Sequence, residues 1–276
     1  MKLAPAAQNC IGYLSLVLHA HLPFVRHPEF ENFLEEQWLF EAITECYIPL
    51  LELFNRLTSD RIPFRLTISF SPTLVSMLQD EVLQQRYLAH MSRLIQLTER
   101  EILRTRGERR VQPLARLYRR LFKRSVALFE KYDGDLTHGF RRLQQDGLLE
   151  LITCGATHGY LPLLRDDPGA VRAQVEVAAQ FHEQIFGTPA KGIWLPECGY
   201  FPGLEETLQA AQFGFFIVDT HGLLNADVAP VGAPSTYRNN LSFVKGGMAM
   251  LNYFNAFGTQ AGLLRSESGT VSAIAG

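Results

Sequence analysis

A single carboxylate follows a short apolar run and is the first candidate for chemistry in this chain. The run GIWLP occupies residues 192–196 and leads into Glu197, and Gly199 and Pro202 interrupt the chain before a helical pattern starts. This layout is typical of a buried strand that presents an acid at its carboxyl end, where α/β sheets and barrels place their reactive groups. Local pattern alone fits an ordinary exposed glutamate equally well.

Histidines follow two other apolar runs. His19 and His21 close the run at residues 11–18, and His158 follows the run at residues 148–153. Side chains two residues apart point the same way along an extended backbone, so His19 and His21 can face one site. Histidine at a strand end can bind a metal, transfer a proton or hydrogen-bond a polar substrate. A single histidine is more often structural, but the paired arrangement favours a role in a site.

Five apolar runs are predicted to be the strands that position these groups. Most are separated by helical patterns, which indicates an α/β fold with a parallel sheet, open or closed into a barrel. Every candidate lies at the carboxyl end of a strand, which favours a barrel-like arrangement, and neither GxGxxG nor GxxxxGK[ST] is present to support nucleotide binding. The predicted strands are residues 11–18, 64–70, 148–153, 192–194 and 215–218, and the last is followed by Asp219 and His221.

Helical patterns fill the longer connections. Apolar residues at helical spacing begin at Glu35, and Pro49 predicts a kink or a break there. Trp38 and Glu41, near the start of this segment, are candidates to line a sugar site, with packing and solvation as the alternative. Residues 77–146 are predicted to be a helical insertion; they hold 15 of the 26 lysines and arginines, but interspersed acids favour a solvated face over a polyanion site.

Composition limits which binding partners, cysteine-based sites and cellular location we expect for this chain. A net charge of −2 gives no general case for binding nucleic acid or membranes, and we expect neither as a partner. The four cysteines are scattered without a CxxC motif, which argues against a structural zinc site and a disulfide framework. No signal peptide or transmembrane run is recognisable, so a cytoplasmic location is expected.

The last 49 residues differ from the rest. Residues 228–276 carry only four charged side chains, and their apolar residues show no clear period. The predicted division is therefore a catalytic portion at residues 1–227 and a divergent tail that is either disordered or out of frame.

With these residues in view, the chain resembles family 57 of the glycoside hydrolases, and within it the 1,4-α-glucan branching enzymes. The similar stretches are LVLHAHLPFVRHPE, EEQWLFEAITECYIPLL, LLELITCGATHGYLPLL, WLPECGY and FFIVDTHGLL, which run in order from about residue 11 to 225. The resemblance implies an incomplete (β/α)7 barrel, of which this chain holds the N-terminal part. It also implies a retaining mechanism on α-1,4-glucans such as amylose, glycogen or starch, with no metal or other cofactor.

The resemblance also assigns roles. Glu197 matches the catalytic nucleophile, and His19, His21 and His158 match motifs that line the pocket around the cleaved sugar. Trp194, Trp38 and Glu41 are further expected substrate contacts, and Asp219 and His221 lie in a family-like block of less certain role. Cys198 matches the WLPEC form of the branching-enzyme group.

The chain departs from the family pattern beyond residue 227. The family's acid/base aspartate follows the FIVDTHG block, but the next acids here are Asp227 and Glu267, and neither has the expected context. We therefore expect a C-terminally truncated barrel with a nucleophile and no proton donor, and little or no activity. A natural truncation, a frameshift and a gene-model error would each produce this pattern.

Other functions remain open at this point. An α-amylase or a 4-α-glucanotransferase of the same family would differ in acceptor rather than nucleophile. In a metal-dependent, deacetylase-like hydrolase, His19, His21 and either His158 or Asp219 would bind a divalent ion and Glu197 would be a general base. A non-catalytic glucan-binding remnant is the third alternative.

Overall fold

The computed structural model describes residues 16–30 and 33–218, together with the backbone of three short strands after residue 240. The chain divides into two compact units. The sheet unit contains the described parts of Met1–His21, Arg65–Thr73 and Gly147–Gly276. The helical unit contains those of Leu22–Phe64 and Leu74–Asp146.

The sheet unit is built on a parallel sheet. Its first five strands lie side by side in chain order, with His19 paired to Ser69 and Cys154 paired to Trp194 in the register. They form half a barrel, which confirms the predicted α/β fold with a parallel, barrel-like sheet. These strands are β1 (Val17–Ala20), β2 (Leu66–Phe70), β3 (Leu149–Cys154), β4 (Gly192–Trp194) and β5 (Phe215–Val218).

The predicted bounds of the first strand need a correction. The sequence predicted residues 11–18, whereas β1 ends at Ala20, so His19 lies within the strand rather than beyond it. Residues 1–15, which include most of the predicted strand, lie outside the described residues. The β-favouring run extends to Ala20 because parallel pairing with β2 continues through Phe70.

Three short strands lie in the tail, for which the sequence predicted no regular structure. β6 (Leu241–Val244) and β7 (Met248–Leu251) pair antiparallel with each other. β8 (Ser272–Ala275) pairs parallel with β5 and is the sixth strand of the sheet. The rest of residues 228–276 lies outside the described residues.

Helices of the sheet unit follow β3 and β4 and cover an apolar core. Asp167 begins the long helix as an N-cap that accepts hydrogen bonds from the N–H groups of Gly169 and Ala170, and Gly187 ends it with a φ of 77°. Val171 and Val175 of this helix pack with Ile193, Leu195 and Phe216. The helices are α7 (Leu161–Leu164), α8 (Pro168–Phe186) and α9 (Leu204–Ala210).

The helical unit has its own core, which includes Leu51, Tyr87, Phe129 and Phe140. Its regular structure is entirely helical in the described ranges, and it joins the predicted insertion at residues 77–146 with residues 22–64. The helices are α1 (Glu36–Ala42), α2 (Ile48–Ser59), α4 (Glu81–Arg104), α5 (Gln112–Lys131) and α6 (Thr137–Gln145), and α3 (Pro72–Leu78) begins at the end of the sheet unit.

The expected interruption near Pro49 takes the form of a π-helical turn over Ile43–Tyr47 that separates α1 from α2. Proline lacks an N–H group and its ring crowds the carbonyl four residues earlier, here that of Glu45, so a wider turn relieves the contact. Among the helices that the structure describes, none has the length and apolar character needed to cross a membrane.

A buried ion pair ties α1 to α4 within the helical unit. The Glu36 side chain is 2% exposed and accepts a hydrogen bond from Arg86, which also donates to the backbone carbonyls of His27 and Phe30. A buried carboxylate needs such a partner because it has lost its water. Arg86 thereby also fixes the chain that leads into α1.

Glu36→Gln is expected to destabilise the fold by about 3–5 kcal/mol, because it leaves the Arg86 guanidinium without a counter-charge. Urea unfolding followed by circular dichroism measures the change. Glu101→Gln is the matched control, since the Glu101–Arg104 pair is solvent-exposed and its loss should have little effect on stability. Equal losses in the two variants would contradict the assignment of Glu36 as a buried anchor.

Candidate active site

The ends of β1 and β2 hold the first part of the candidate site. The Nδ1 atom of His21 lies 2.9 Å from the hydroxyl oxygen of Ser71, and that oxygen lies 3.1 Å from the hydroxyl oxygen of Thr73. The Ser71 N–H group donates to the carbonyl of Ala20 at 3.0 Å, which continues the pairing of the two strands. The His21 ring is therefore oriented by a serine at the neighbouring strand end.

His158 lies on the loop after β3. Its backbone φ is +59°, and its N–H group donates to the carbonyl of Gly155 at 3.0 Å. Gln174 of α8 holds the same loop, since it accepts from the Thr157 N–H group at 2.9 Å and donates to the Thr157 hydroxyl at 2.6 Å. A helix of the sheet unit thus positions the third histidine.

The three imidazole rings and one indole ring lie against each other. The rings of His21 and His158 stack with centroids 3.5 Å apart and planes 10° apart. His19 stacks on Trp194 at 4.6 Å, and its ring centroid lies 5.7 Å from that of His158. Trp194 is 6% exposed, so most of its indole faces protein and supports His19.

Burial keeps this cluster uncharged. It lowers the pKa of His19 to about 3, with smaller contributions from the positive charges that His158 and His21 would carry. Burial, followed by the neighbouring His158, lowers the pKa of His21 to about 4. Burial also lowers the pKa of His158, although the negative charge of Glu197 partly opposes the shift. At neutral pH the cluster offers both hydrogen-bond donors and acceptors.

Glu197 occupies a tight turn after β4. A 3-10 turn spans Pro196–Cys198, and Glu197 and Cys198 have φ values of +50° and +55°. Two bonds hold the turn: the Cys198 N–H group donates to Leu195 at 2.7 Å, and the Gly199 N–H group donates to Pro196 at 3.0 Å. Left-handed backbone costs a non-glycine residue about 1–2 kcal/mol, and such conformations cluster at functional sites. The Glu197 side chain is exposed.

Two glycines let the His158 loop pack directly on the Glu197 turn. A Cβ atom on Gly155 would lie 2.8 Å from Cγ of Pro196. A Cβ atom on Gly199 would lie 2.4 Å from the ring of Tyr160. Both distances are shorter than side chains tolerate, so glycine at these two positions is what lets the loops approach each other this closely.

Two residues of the site were missed from the sequence. Ser71 orients His21, and the signal was the polar SPT stretch at the end of the second predicted strand. Cys154 is fully buried at the end of β3, where burial raises the pKa of its thiol. One ligand atom each from His19, Cys154 and His158 lie within 4.8 Å of one another, which no sequence spacing indicated.

Other predicted site residues are not brought into this cluster by the described structure. Trp38 and Glu41 belong to α1 of the helical unit, where both are exposed, and their assignment to a sugar site stays a prediction. Asp219 and His221 lie outside the described residues.

A carboxylate and uncharged histidines at the carboxyl ends of parallel strands are arranged as in the active sites of the α/β-barrel class of protein. The family model for glycosyl hydrolase family 57 matches residues 15–252. The chain belongs to this family.

The proteins similar to this chain include a branching enzyme and an alpha-amylase. The chain is 40% identical over 202 residues to the 1,4-alpha-glucan branching enzyme TK1436 of Thermococcus kodakarensis, a match that covers 73% of this chain and 29% of that protein. It is similar to the solved alpha-amylase AmyC of Thermotoga maritima, with a TM-score of 0.78, 40% identity, and coverage of 88% of this chain and 45% of AmyC.

A solved branching enzyme of the same family is also similar. The enzyme from Pyrococcus horikoshii matches with a TM-score of 0.75 and 31% identity, over 91% of this chain and 53% of that chain. The chain therefore spans about a third to a half of the length of these relatives.

The low pKa values of the cluster predict how stability depends on pH. An unfolded histidine takes up a proton near pH 6.5, whereas folded His21 does so only near pH 4. The neutral ring therefore contributes stability that is fully present above pH 6.5 and is lost as the pH falls towards 4. His21→Asn should reduce the slope of unfolding free energy against pH in this window. NMR titration of the His21 ring provides the direct check, and protonation near pH 6.5 in the folded chain would contradict it.

Proposed function

We propose that this chain carries the nucleophile and the histidine cluster of a retaining, α-1,4-glucan-acting site of the branching type. The observation that carries the proposal is the position of Glu197. Its exposed carboxylate follows β4 in a strained turn, beside a histidine cluster that burial keeps neutral. Family membership and the branching enzymes among the relatives support α-glucan as the substrate class.

The proposed chemistry begins with attack by Glu197. Its carboxylate attacks the anomeric carbon of an α-1,4-linked glucose, the glycosidic bond breaks, and a glycosyl-enzyme forms. In branching, a 6-hydroxyl of another glucan then attacks the same carbon and releases Glu197. The first step needs a second carboxyl group to protonate the leaving oxygen, and the second step needs it to accept a proton from the acceptor.

The histidines would bind the sugar in this scheme. A neutral imidazole can donate a hydrogen bond from one nitrogen and accept one at the other, which suits sugar hydroxyls. Nδ1 of His19 and Nε2 of His158 are buried and have no hydrogen-bond partner among the described residues. Because unpaired buried polar atoms are costly, these nitrogens are well placed to gain from a bound hydroxyl.

We propose that this chain lacks the second carboxyl group, which would be the proton donor of the reaction. No acidic residue lies between Asp227 and Glu267, the region that follows the FIVDTHG block. Loss of general acid–base assistance costs roughly 10²–10⁴ in rate. The 276-residue chain should therefore turn over natural glucans slowly, even with its nucleophile in place.

α-Maltosyl fluoride separates the nucleophile from the proton donor, because fluoride leaves without being protonated. Mass spectrometry of the intact chain should show one maltosyl group added, and peptide mapping should place it on Glu197. Glu197→Gln, which keeps the shape but removes the charge, should show no adduct. Release of reducing sugar from amylose should be roughly 10²–10⁴-fold slower than reaction with the fluoride.

The result that would overturn the proposal is an adduct that persists in Glu197→Gln, or no adduct on a chain whose circular dichroism shows it folded. Glucan binding that survives Glu197→Gln without any turnover by the parent chain would instead indicate a non-catalytic glucan-binding protein.

A second candidate is α-amylase or 4-α-glucanotransferase activity, which the likeness to AmyC favours. The two functions differ in the acceptor that attacks the glycosyl-enzyme. Linkage analysis of products from the fluoride and an amylose acceptor distinguishes them. New α-1,6 linkages support branching, whereas only free maltose or longer linear chains would overturn it in favour of hydrolysis or linear transfer.

A further inference from the structure

Beyond the proposed glucan site, the sheet unit brings a buried thiol against two histidines. Cys154 ends β3 and is fully buried, and it pairs in register with Trp194, on which His19 stacks. His158 lies four residues after Cys154, on the loop that turns back over the strand end. One ligand atom from each of the three side chains lies within 4.8 Å of the other two.

Both histidines have capacity for a new ligand. Nδ1 of His19 and Nε2 of His158 are buried and accept or donate no hydrogen bond within the described ranges. Neighbouring groups limit how the rings can move, since Trp194 packs on His19 and His21 stacks on His158. The site is therefore formed by rings that are already positioned and by nitrogens that are already dehydrated.

We propose that His19, Cys154 and His158 form a binding site for a thiophilic divalent cation, with Zn²⁺ as the expected ion. Imidazole nitrogen and thiolate sulfur are the ligands that Zn²⁺ prefers, at about 2.0–2.1 Å and 2.3 Å respectively. In a tetrahedral zinc site two ligand atoms lie about 3.3–3.6 Å apart, so the three side chains must close by up to about 1.5 Å to complete the site. The thiol gives its proton to solvent as the sulfur binds.

Three protein ligands leave the fourth zinc position open. The carboxylate of Glu197 is an anionic candidate for it, because its charge acts on both His158 and Cys154. Metal bound here would occupy ring nitrogens that the proposed function assigns to sugar hydroxyls. Zinc and glucan should therefore exclude each other, a consequence that rests on the proposed function, whereas metal binding itself does not.

Co²⁺ is the probe for this site, because a cobalt–thiolate bond has an intense near-ultraviolet absorption band that cobalt–imidazole bonds lack. The starting protein is the full chain with Cys10→Ser and Cys46→Ser, which leaves Cys154 and Cys198 as its thiols. Titration with Co²⁺ should give this band with one ion per chain, and Zn²⁺ should abolish it by displacement.

Variants then identify the ligands. Cys154→Ser should lose the band, whereas Cys198→Ser, which removes the other buried thiol, should keep it. His158→Ala should keep Cys154 but weaken Co²⁺ binding at least tenfold, which gives a second test if Cys154→Ser fails to fold. Circular dichroism of each variant checks folding.

The proposal is overturned if the starting protein gives no thiolate band, or if the band is lost in Cys198→Ser and kept in Cys154→Ser. These readouts are independent of the maltosyl fluoride experiment. A chain that forms the glycosyl-enzyme but no cobalt–thiolate complex would support the proposed function and overturn the metal site. A chain that forms the cobalt–thiolate complex but no glycosyl-enzyme would support the metal site and overturn the proposed function.

Discussion

The contact between the His158 loop and the Glu197 turn is the constraint on which the candidate site depends. Gly155 lies against Pro196, and Gly199 lies against Tyr160, at distances that leave no room for a Cβ atom. Because the two loops touch, the left-handed backbone at Glu197 is held by tertiary packing as well as by the hydrogen bonds of its own turn. The backbone that carries the proposed nucleophile is therefore fixed before a substrate binds, which is what electrostatic preorganisation requires of an active site.

Burial of the histidine cluster away from water is the second constraint on the candidate site. Three imidazoles stacked at a strand-end cleft can coexist because burial disfavours their charged forms, and each would also repel a proton on its neighbour. A neutral cluster suits sugar hydroxyls, and the same unprotonated nitrogens suit a soft metal ion. The proposed sugar contacts and the proposed zinc ligands therefore both depend on histidines that carry no proton charge. Zinc binding also requires the buried thiol of Cys154.

Family membership narrows the chemistry but leaves the acceptor open. The relatives include branching enzymes and an α-amylase, and the solved ones share the fold of this chain. Family 57 membership favours attack by a glycosidase-type carboxylate over the metal-dependent, deacetylase-like hydrolase that the histidines alone had left open. The helical unit has a separate core, including the buried Glu36–Arg86 pair, so its stability can be tested separately from the chemistry of the sheet unit.

The amino-acid sequence by itself determined the strands and helices whose boundaries are set by neighbouring residues. The runs at residues 192–194 and 215–218 are strands at those bounds, and the helix at residues 168–186 begins after a capping aspartate and ends at a left-handed glycine, which are both local signals. The ordered motifs also identified the family, because they combine strand-end residue types over most of the chain. The extent of β1 was missed, since parallel pairing with β2 carried the strand past His19.

Only the tertiary structure decided how the strand ends meet. Ser71 reaches His21 across 50 residues, and Cys154 lies beside His19 across 135, because strands adjacent in the sheet are far apart in the sequence. The stacking of His21 on His158 and of His19 on Trp194 depends on the register of four strands, which no single stretch encodes. Burial and charge at a site arise from such long-range neighbours, so the protonation states of these groups followed from the fold and not from their residue types.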